Sequence, residues 1–340
     1  MGPCFRRDDS ELVAPMIPPD LPAELKAALD ARLEGRSRSD VAARAAVISK
    51  TYRDGGTSSA IKSDTDALAY ALARMPATYA AISACLNALL EARPDFAPQT
   101  LLDIGAGPGT ASWAASEAFA SLTSLTLLDT NPALRALSLE LQRGSTRFAD
   151  TKYEAGEARA ALAKADSADL VIASYLIGEL GEAERKSLME AMWAKTRDTL
   201  LIVEPGTPAG YARILGARTQ LIAAGALVLA PCPHDAACPL QAPDWCHFSQ
   251  RLARSRAHKQ VKGADVPFED ERFSYVVLTR APVTWHPSRI LAQPAVGKAG
   301  VSAKLCTPDG VTIAKVPRRD KAAYAHARHW RWGDAVIEKS

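Results

Sequence analysis

The stretch Leu101-Leu102-Asp103-Ile104-Gly105-Ala106-Gly107-Pro108-Gly109-Thr110 decides how this chain reads. Its apolar start belongs to a short buried strand, 100–104, and Thr110 opens a helix reaching 120. Between them, glycine takes every second position. Glycine allows tight turns and close approach of backbone to a ligand, and the helix that follows offers unpaired N–H groups at its start. Outward from this loop, strand and helix alternate: strand 124–128 ending at Asp129, helix 132–142, strand 170–175, helix 182–196, strand 200–203, helix 208–224. Such alternation predicts a parallel sheet covered by helices on both faces. Two further strands, 226–229 and 273–278, would close a seven-strand sheet with a hairpin opened by an insertion.

A dinucleotide-binding loop would read G-x-G-x-x-G. Here Gly105, Gly107 and Gly109 follow Asp103, a D-x-G-x-G-x-G form that resembles the S-adenosylmethionine loop of class I methyltransferases. The resemblance implies a Rossmann-like α/β fold, with the cofactor at Asp103, Gly105, Gly107 and Gly109 and with Asp129 accepting the ribose hydroxyls. A nicotinamide cofactor and an empty glycine turn are the alternatives. Amino-directed methyltransferases often carry an Asn/Asp-Pro-Pro-aromatic motif after the fourth strand, but residues 173–180 read ASYLIGEL. Tyr175 and Glu179 stand where a substrate could be met, or serve as a buried Tyr and a helix cap. No residue qualifies as a catalytic base, so the catalytic set is unassigned.

Composition sets the outer bounds. The 340 residues are 48% hydrophobic and 23% charged, which excludes a mostly disordered chain. Mean hydropathy is -0.08, and no apolar run of about 18 residues predicts a membrane span. The first residues lack the apolar stretch of a secretory signal, and Arg6 stands where myristoylation needs Ser or Thr. The expectation is a cytoplasmic protein, monomeric by default. Before the sheet, helices are expected at 21–33, 41–52, 62–74 and 77–92, the last two separated at Met75-Pro76, with GGTSS at 55–59 as a joint.

Cysteines and charge are unevenly spread. Cys232, Cys238 and Cys246 follow a C-x5-C-x7-C spacing inside the insertion, about 230–272, and Cys306 comes later. This insertion is proline-rich with little periodic apolar sequence, so something other than a core must hold it. Clustered thiols in a reducing compartment point to metal or catalysis. Zinc sites favour tighter C-x2–4-C pairs, whereas long spacings and Cys-Pro steps suit a [4Fe-4S] cluster. Zinc, with His234 or His247 replacing a thiolate, remains open. Residues 247–340 hold 17 Lys+Arg against 8 Asp+Glu, although the whole chain is only +3. Basic groups there fall in two runs: Arg251, Arg254, Arg256, Lys259 and Lys262, read as one helix with His258, and Lys315, Arg318, Arg319, Lys321, Arg328 and Arg331 among aromatics. Such runs suit phosphates and unpaired bases, or a solvated surface.

Together these features resemble the methyltransferase-like family that assembles the small ribosomal subunit in mitochondria, which has many bacterial members. The resemblance covers about 66–334. It rests on Ala73-Arg74-Met75-Pro76-Ala77-Thr78-Tyr79, the glycine loop, Val203-Glu204-Pro205-Gly206-Thr207, CPHDAACPL from Cys232, DWCHF from Asp244, and Arg328 with Trp332-Gly333-Asp334. It implies a [4Fe-4S] cluster on Cys232, Cys238, Cys246 and Cys306. It also implies small-subunit ribosomal RNA or an immature subunit as partner, contacted through Arg251, Arg254, Arg256, Lys259, Lys262, Arg318, Arg319 and Arg328. Catalytic regions in the family are degenerate. The expected architecture is an N-terminal helical region (1–96), a methyltransferase-like core (97–282) with a cysteine-rich metal-binding insertion, and a small β-containing basic region (283–340). The expected function is S-adenosylmethionine-dependent methyl transfer to rRNA. The alternatives are a non-catalytic rRNA-binding assembly factor and a zinc-stabilised methyltransferase of a protein or small molecule.

Overall fold

The computed structural model describes residues 16–263 and 265–337, so Cys4, Gly2 and Arg6 lie outside the described residues. Three helices come first. α1 (Ala23–Leu33) and α2 (Arg38–Arg53) turn Leu25, Leu29, Val41, Ala45 and Ile48 inward, packing on α3 (Asp64–Ala92). A reciprocal cap starts α3: Asp66 N donates to Ser63 Oγ at 3.2 Å, and Ser63 N donates to Asp66 Oδ2 at 3.0 Å. The break expected at Met75-Pro76 does not occur, and the helix runs through Pro76. A proline costs on the order of 3 kcal/mol inside a helix. Met75, Ala77 and Tyr79 are almost wholly buried around it, and this burial holds the helix in one piece.

The alternating region follows as β1 (Thr100–Ile104), α4 (Thr110–Ala118), β2 (Ser124–Asp129), α5 (Pro132–Leu141), β3 (Thr151–Ala155), α6 (Ala158–Lys164), β4 (Ala168–Ser174), α7 (Glu182–Lys195), β5 (Thr196–Pro205), α8 (Pro208–Ala223) and β6 (Leu227–Ala230). The insertion then forms β7 (Phe248–Ala253) and α9 (Arg256–Lys262) before β8 (Phe268–Thr279). Strand order is β3-β2-β1-β4-β5-β8-β6, with β1 to β5 parallel and β8 antiparallel between β5 and β6. This is the Rossmann-like methyltransferase fold expected. Its strands alternate strictly between two cores. Leu101, Leu125, Leu127, Leu170, Ile172, Leu201 and Val203 face α3, α4 and α5. Leu102, Ile104, Leu128, Val171, Ala173, Leu200 and Ile202 face α6, α7 and α8.

The insertion is better ordered than its composition suggests. Residues 249–253, expected in a helix with the first basic run, instead pair with Phe268–Arg272 along the first half of β8. Leu252 is then buried against Ala77 and Ala80 of α3, so strand pairing and burial override the helical spacing of the charges. A second sheet completes the chain: β9 (Ser288–Ile290), β10 (Ala295–Val296), β11 (Gly300–Thr307), β12 (Gly310–Pro317), α10 (Lys321–Ala327) and β13 (Ala335–Val336). It is antiparallel around β11 and has its own small core of Ile290, Val301, Leu305, Val316, Ala323 and Ala327. Among the described residues no helix is long and apolar enough to cross a membrane.

Candidate donor cleft and cysteine site

The glycine loop leaves β1 with Gly105, Gly107 and Gly109 at φ of +67°, +54° and +82°. A side chain at Gly105 would also strike Leu176, its Cβ lying 2.8 Å from Cδ1, so both conformation and space call for glycine. Asp129 sits half-buried at the end of β2 beside the loop. Gly107 N donates to its Oδ2 at 2.8 Å and Asn131 N to its Oδ1 at 2.7 Å. Burial pushes its carboxyl above the usual range. Asp103 has a different place. It is fully buried, and Ser112 donates to its Oδ2 through N (3.1 Å) and Oγ (2.8 Å), tying β1 to the first turn of α4. Its Oδ1 has no partner, and burial raises its carboxyl to about 7. The sequence reading did not find Tyr153, whose hydroxyl donates to Gly107 O at 2.7 Å from β3.

A strap from the N-terminal region crosses the same end of the sheet. Asn131 Nδ2 donates to Ser58 O and Ile61 O, each at 3.0 Å. From the other side, Ser58 N and Oγ both donate to Glu179 Oε2 at 3.2 Å. The turn at Ser58–Ala60 therefore bridges the residues after β2 and those after β4. Tyr175 occupies a left-handed conformation at φ +56°. Its hydroxyl donates to Glu271 Oε1 at 3.1 Å, and Arg74 Nη2 reaches the same oxygen at 3.1 Å. Tyr175 is thus engaged by an internal ion pair, and Glu179 receives the strap at Ser58, the first residue of its short 3-10 turn.

Near the middle of β8, beside Ser274, Tyr275 and Val276, the four cysteines meet. Cys232 follows β6, Cys238 lies in the loop beyond it, Cys246 precedes β7 and Cys306 lies on β11. All four are free thiols lining one cavity with Tyr211, Arg218 and Arg289. Tyr211 Oη lies 3.2 Å from Cys238 Sγ, and His234 Nε2 lies 3.9 Å from Cys306 Sγ. Burial raises the Cys232 and Cys246 thiols and pushes Cys306 up to about 12, while Arg289 opposes the rise at all three. Among the described residues, no group of three or more His, Cys, Asp or Glu side chains is arranged to hold a single metal ion. The cysteines expected to bind a metal thus line one cavity with Cys306 of β11, and among the described residues they form no ready-made ion site.

Several of the scattered motif residues bond to one another outside the lining of this cavity. Trp245 Nε1 donates to Gly206 O at 3.1 Å, and Trp332 Nε1 donates to His247 O at 2.9 Å. The His247 ring lies between them, 4.9 Å from Trp245 and 4.8 Å from Trp332. Glu204, fully buried at the end of β5, takes Arg213 Nε at 2.7 Å and Gly178 N at 3.3 Å. The basic residues divide. Arg251 is held bidentately by Asp270, while Arg254 and Lys262 both bind Glu269, which also takes buried His258. Arg256, Arg318, Arg319 and Arg328 are exposed and Lys259 is half-buried. Arg318 donates to Tyr324 Oη at 3.1 Å and Arg328 to His329 Nε2 at 3.0 Å.

The family described as "Mitochondrial small ribosomal subunit Rsm22" matches residues 64–337, from the start of α3 to just past β13. The chain belongs to the Rsm22 family. The human relative named ribosome assembly protein METTL17, mitochondrial, is 30% identical over 288 residues, covering 79% of this chain and 62% of that protein. Rsm22-cox11 tandem protein 2, mitochondrial, of Schizosaccharomyces pombe is 27% identical over 351 residues, covering 87% of this chain and 46% of that protein. The chain thus spans less than two thirds of the length of these relatives. Among solved structures, an O-methyltransferase family protein from Burkholderia thailandensis is 12% identical at a TM-score of 0.43, covering 64% of this chain and 60% of that one. A magnesium protoporphyrin IX methyltransferase from Synechocystis, solved with bound SAM, is 13% identical at 0.39, covering 60% and 80%. The Rsm22 match corrects the cytoplasmic expectation: the family and these relatives are mitochondrial proteins and point to that compartment. The expectation had rested on apolar runs, which bear on membrane spans and secretory signals and do not distinguish cytosol from an organelle interior.

Proposed function

We propose that this chain acts in assembly of the small ribosomal subunit, binding ribosomal RNA on its basic faces. In this reading it holds S-adenosylmethionine in the donor cleft and a [4Fe-4S] cluster on Cys232, Cys238, Cys246 and Cys306. The observation that carries the reading is the convergence of four free thiols, from both sheets, on one cavity. Their donor chemistry fits an iron–sulfur cluster. Each thiolate would bind its own iron, so the four need not meet on one ion. Such a cluster would supply a structural link and a redox-sensitive centre. S-adenosylmethionine would lie at the left-handed glycine loop, with half-buried Asp129, which accepts the backbone N–H groups of Gly107 and Asn131, beside its ribose. S-adenosylmethionine, when bound, supplies an electrophilic methyl group. Arg256, Arg318, Arg319 and Arg328, which are exposed, and half-buried Lys259 would face RNA phosphates.

Anaerobic purification followed by iron, sulfide and zinc analysis tests the reading. About four irons and four sulfides per chain are expected from the cluster stoichiometry, and stoichiometric zinc without visible absorption would overturn the cluster. A non-catalytic role is favoured by one specific arrangement, the Arg74–Glu271–Tyr175 network standing where an acceptor would enter. Labelled-methyl transfer to immature small subunits decides between the two. Incorporation by wild type that disappears in Asp129→Ala establishes an enzyme, whereas RNA binding without incorporation establishes the assembly factor.

A further inference from the structure

Two arginines are buried against the thiol-lined cavity with incomplete charge compensation. Arg218 on α8 is 4% exposed and Arg289 on β9 is 2% exposed. Arg218 Nη2 donates to the carbonyls of His234 (2.6 Å) and Ala236 (2.8 Å), inside the loop that carries Cys232 and Cys238, and its Nε is buried without a partner. Arg289 Nε donates to Pro231 O at 3.3 Å and its Nη1 to Gly333 O at 2.9 Å. The carboxylate nearest to it among the ion pairs is Glu91, 3.8 Å away and 38% exposed at its side chain. Carbonyl oxygens satisfy N–H groups but do not neutralise a charge. A buried guanidinium whose charge is not fully compensated costs free energy, so a structure that keeps two such groups beside one cavity calls for an anion in that cavity.

We infer that Arg218 and Arg289 are the fixed counter-charges of an anionic tetrathiolate metal site on Cys232, Cys238, Cys246 and Cys306. This rests on the metal reading above. Four thiolates around a doubly positive core leave two negative charges, which the two guanidiniums match. An oxidised [4Fe-4S] core and a zinc ion share that charge, and the arginines serve either. The role goes beyond holding the loop: the positive charge itself retains the anionic group, and in the iron–sulfur case it makes the added electron easier to accept.

The test uses the full chain, purified anaerobically, as wild type, Arg218→Gln, Arg218→Lys and Arg289→Gln. Folding is checked by circular dichroism and urea midpoint. The glutamine variants keep hydrogen-bond donors and lose charge; the lysine variant keeps charge and loses the fork. Bound iron, sulfide and zinc are measured, then the rate of metal loss to a chelator and, where iron is present, the midpoint potential. The expected result is at least tenfold faster loss in both glutamine variants, a midpoint moved to more negative potential, and near-wild-type retention in Arg218→Lys. Folded glutamine variants that keep metal and potential as wild type does overturn this inference alone. Rescue by glutamine with failure of lysine does the same, because it would make the residue a tether for carbonyls. A wild-type chain carrying neither iron nor zinc overturns the inference together with the metal reading.

Discussion

Asp103 ends β1 with one carboxylate oxygen bound twice by Ser112 and the other left without a partner in the core. It was expected among the cofactor residues, and its bonds to Ser112 tie the loop to the first turn of α4. An acid raised from 3.8 to about 7 by folding favours the native state below its unfolded value, and that contribution is lost as pH rises through the folded value. The wild-type chain should lose up to about 4 kcal/mol over that window relative to Asp103→Asn, three pH units of linkage. Urea midpoints of both chains between pH 4 and 8 check this, and parallel curves would remove burial of the charge as the cause. Gly206 makes a second prediction at this scale. A Cβ there would lie 2.7 Å from both Arg272 C and Phe273 N, which are backbone atoms that cannot turn aside. Gly206→Ala should cost about 1–3 kcal/mol, read as a lower urea midpoint with an unchanged slope.

Among elements, β7 and α9 show how charge spacing misleads when strand pairing competes. Arg251 and Arg254 stand on or beside β7 against carboxylates of β8, whereas Arg256 opens α9 and faces solvent. Substituting Arg256 and Arg319 together by Ala should weaken binding to small-subunit RNA and lower its salt slope by about one for each phosphate no longer neutralised. Arg251→Ala should change neither by much, and filter binding across a salt series separates the cases. The sheet's central strands were legible because they are apolar throughout and bounded by turns. β3 was not: in Thr151–Ala155 only Tyr153 is buried, so the edge strand carries no apolar run. Pro76 misled in the opposite direction, since local propensity suggested a break that burial on α3 prevents. At the site, Cys232, Cys238 and Cys246 were visible from their crowding in the sequence, and Cys306 only through the family resemblance. Arg218, Arg289, Tyr153 and the strap were not, because each owes its place to packing between distant segments, which no spacing reports.

Across the whole molecule, two sheets with separate cores share the thiol-lined cavity. Cys306, Arg289 and Leu291 come from the β9–β13 side, and Cys232, Cys238, Cys246 and Arg218 from the β1–β8 side. Cys306→Ser should therefore loosen the second sheet from the first. Amide hydrogen exchange is expected to speed up at least tenfold, about 1.4 kcal/mol or more of local stability, in β9–β13 while β1–β5 stay protected. Limited proteolysis should open the connection at 280–287. Unchanged exchange in β11 would mean that the sheets are held together by other interactions. The position of Cys306 also imposes an order in time. Three thiols leave the ribosome together with the insertion, while the fourth waits until β11 has been made. A nascent or truncated chain thus presents an open, three-sided thiol pocket, and only translation through the second sheet supplies the remaining wall.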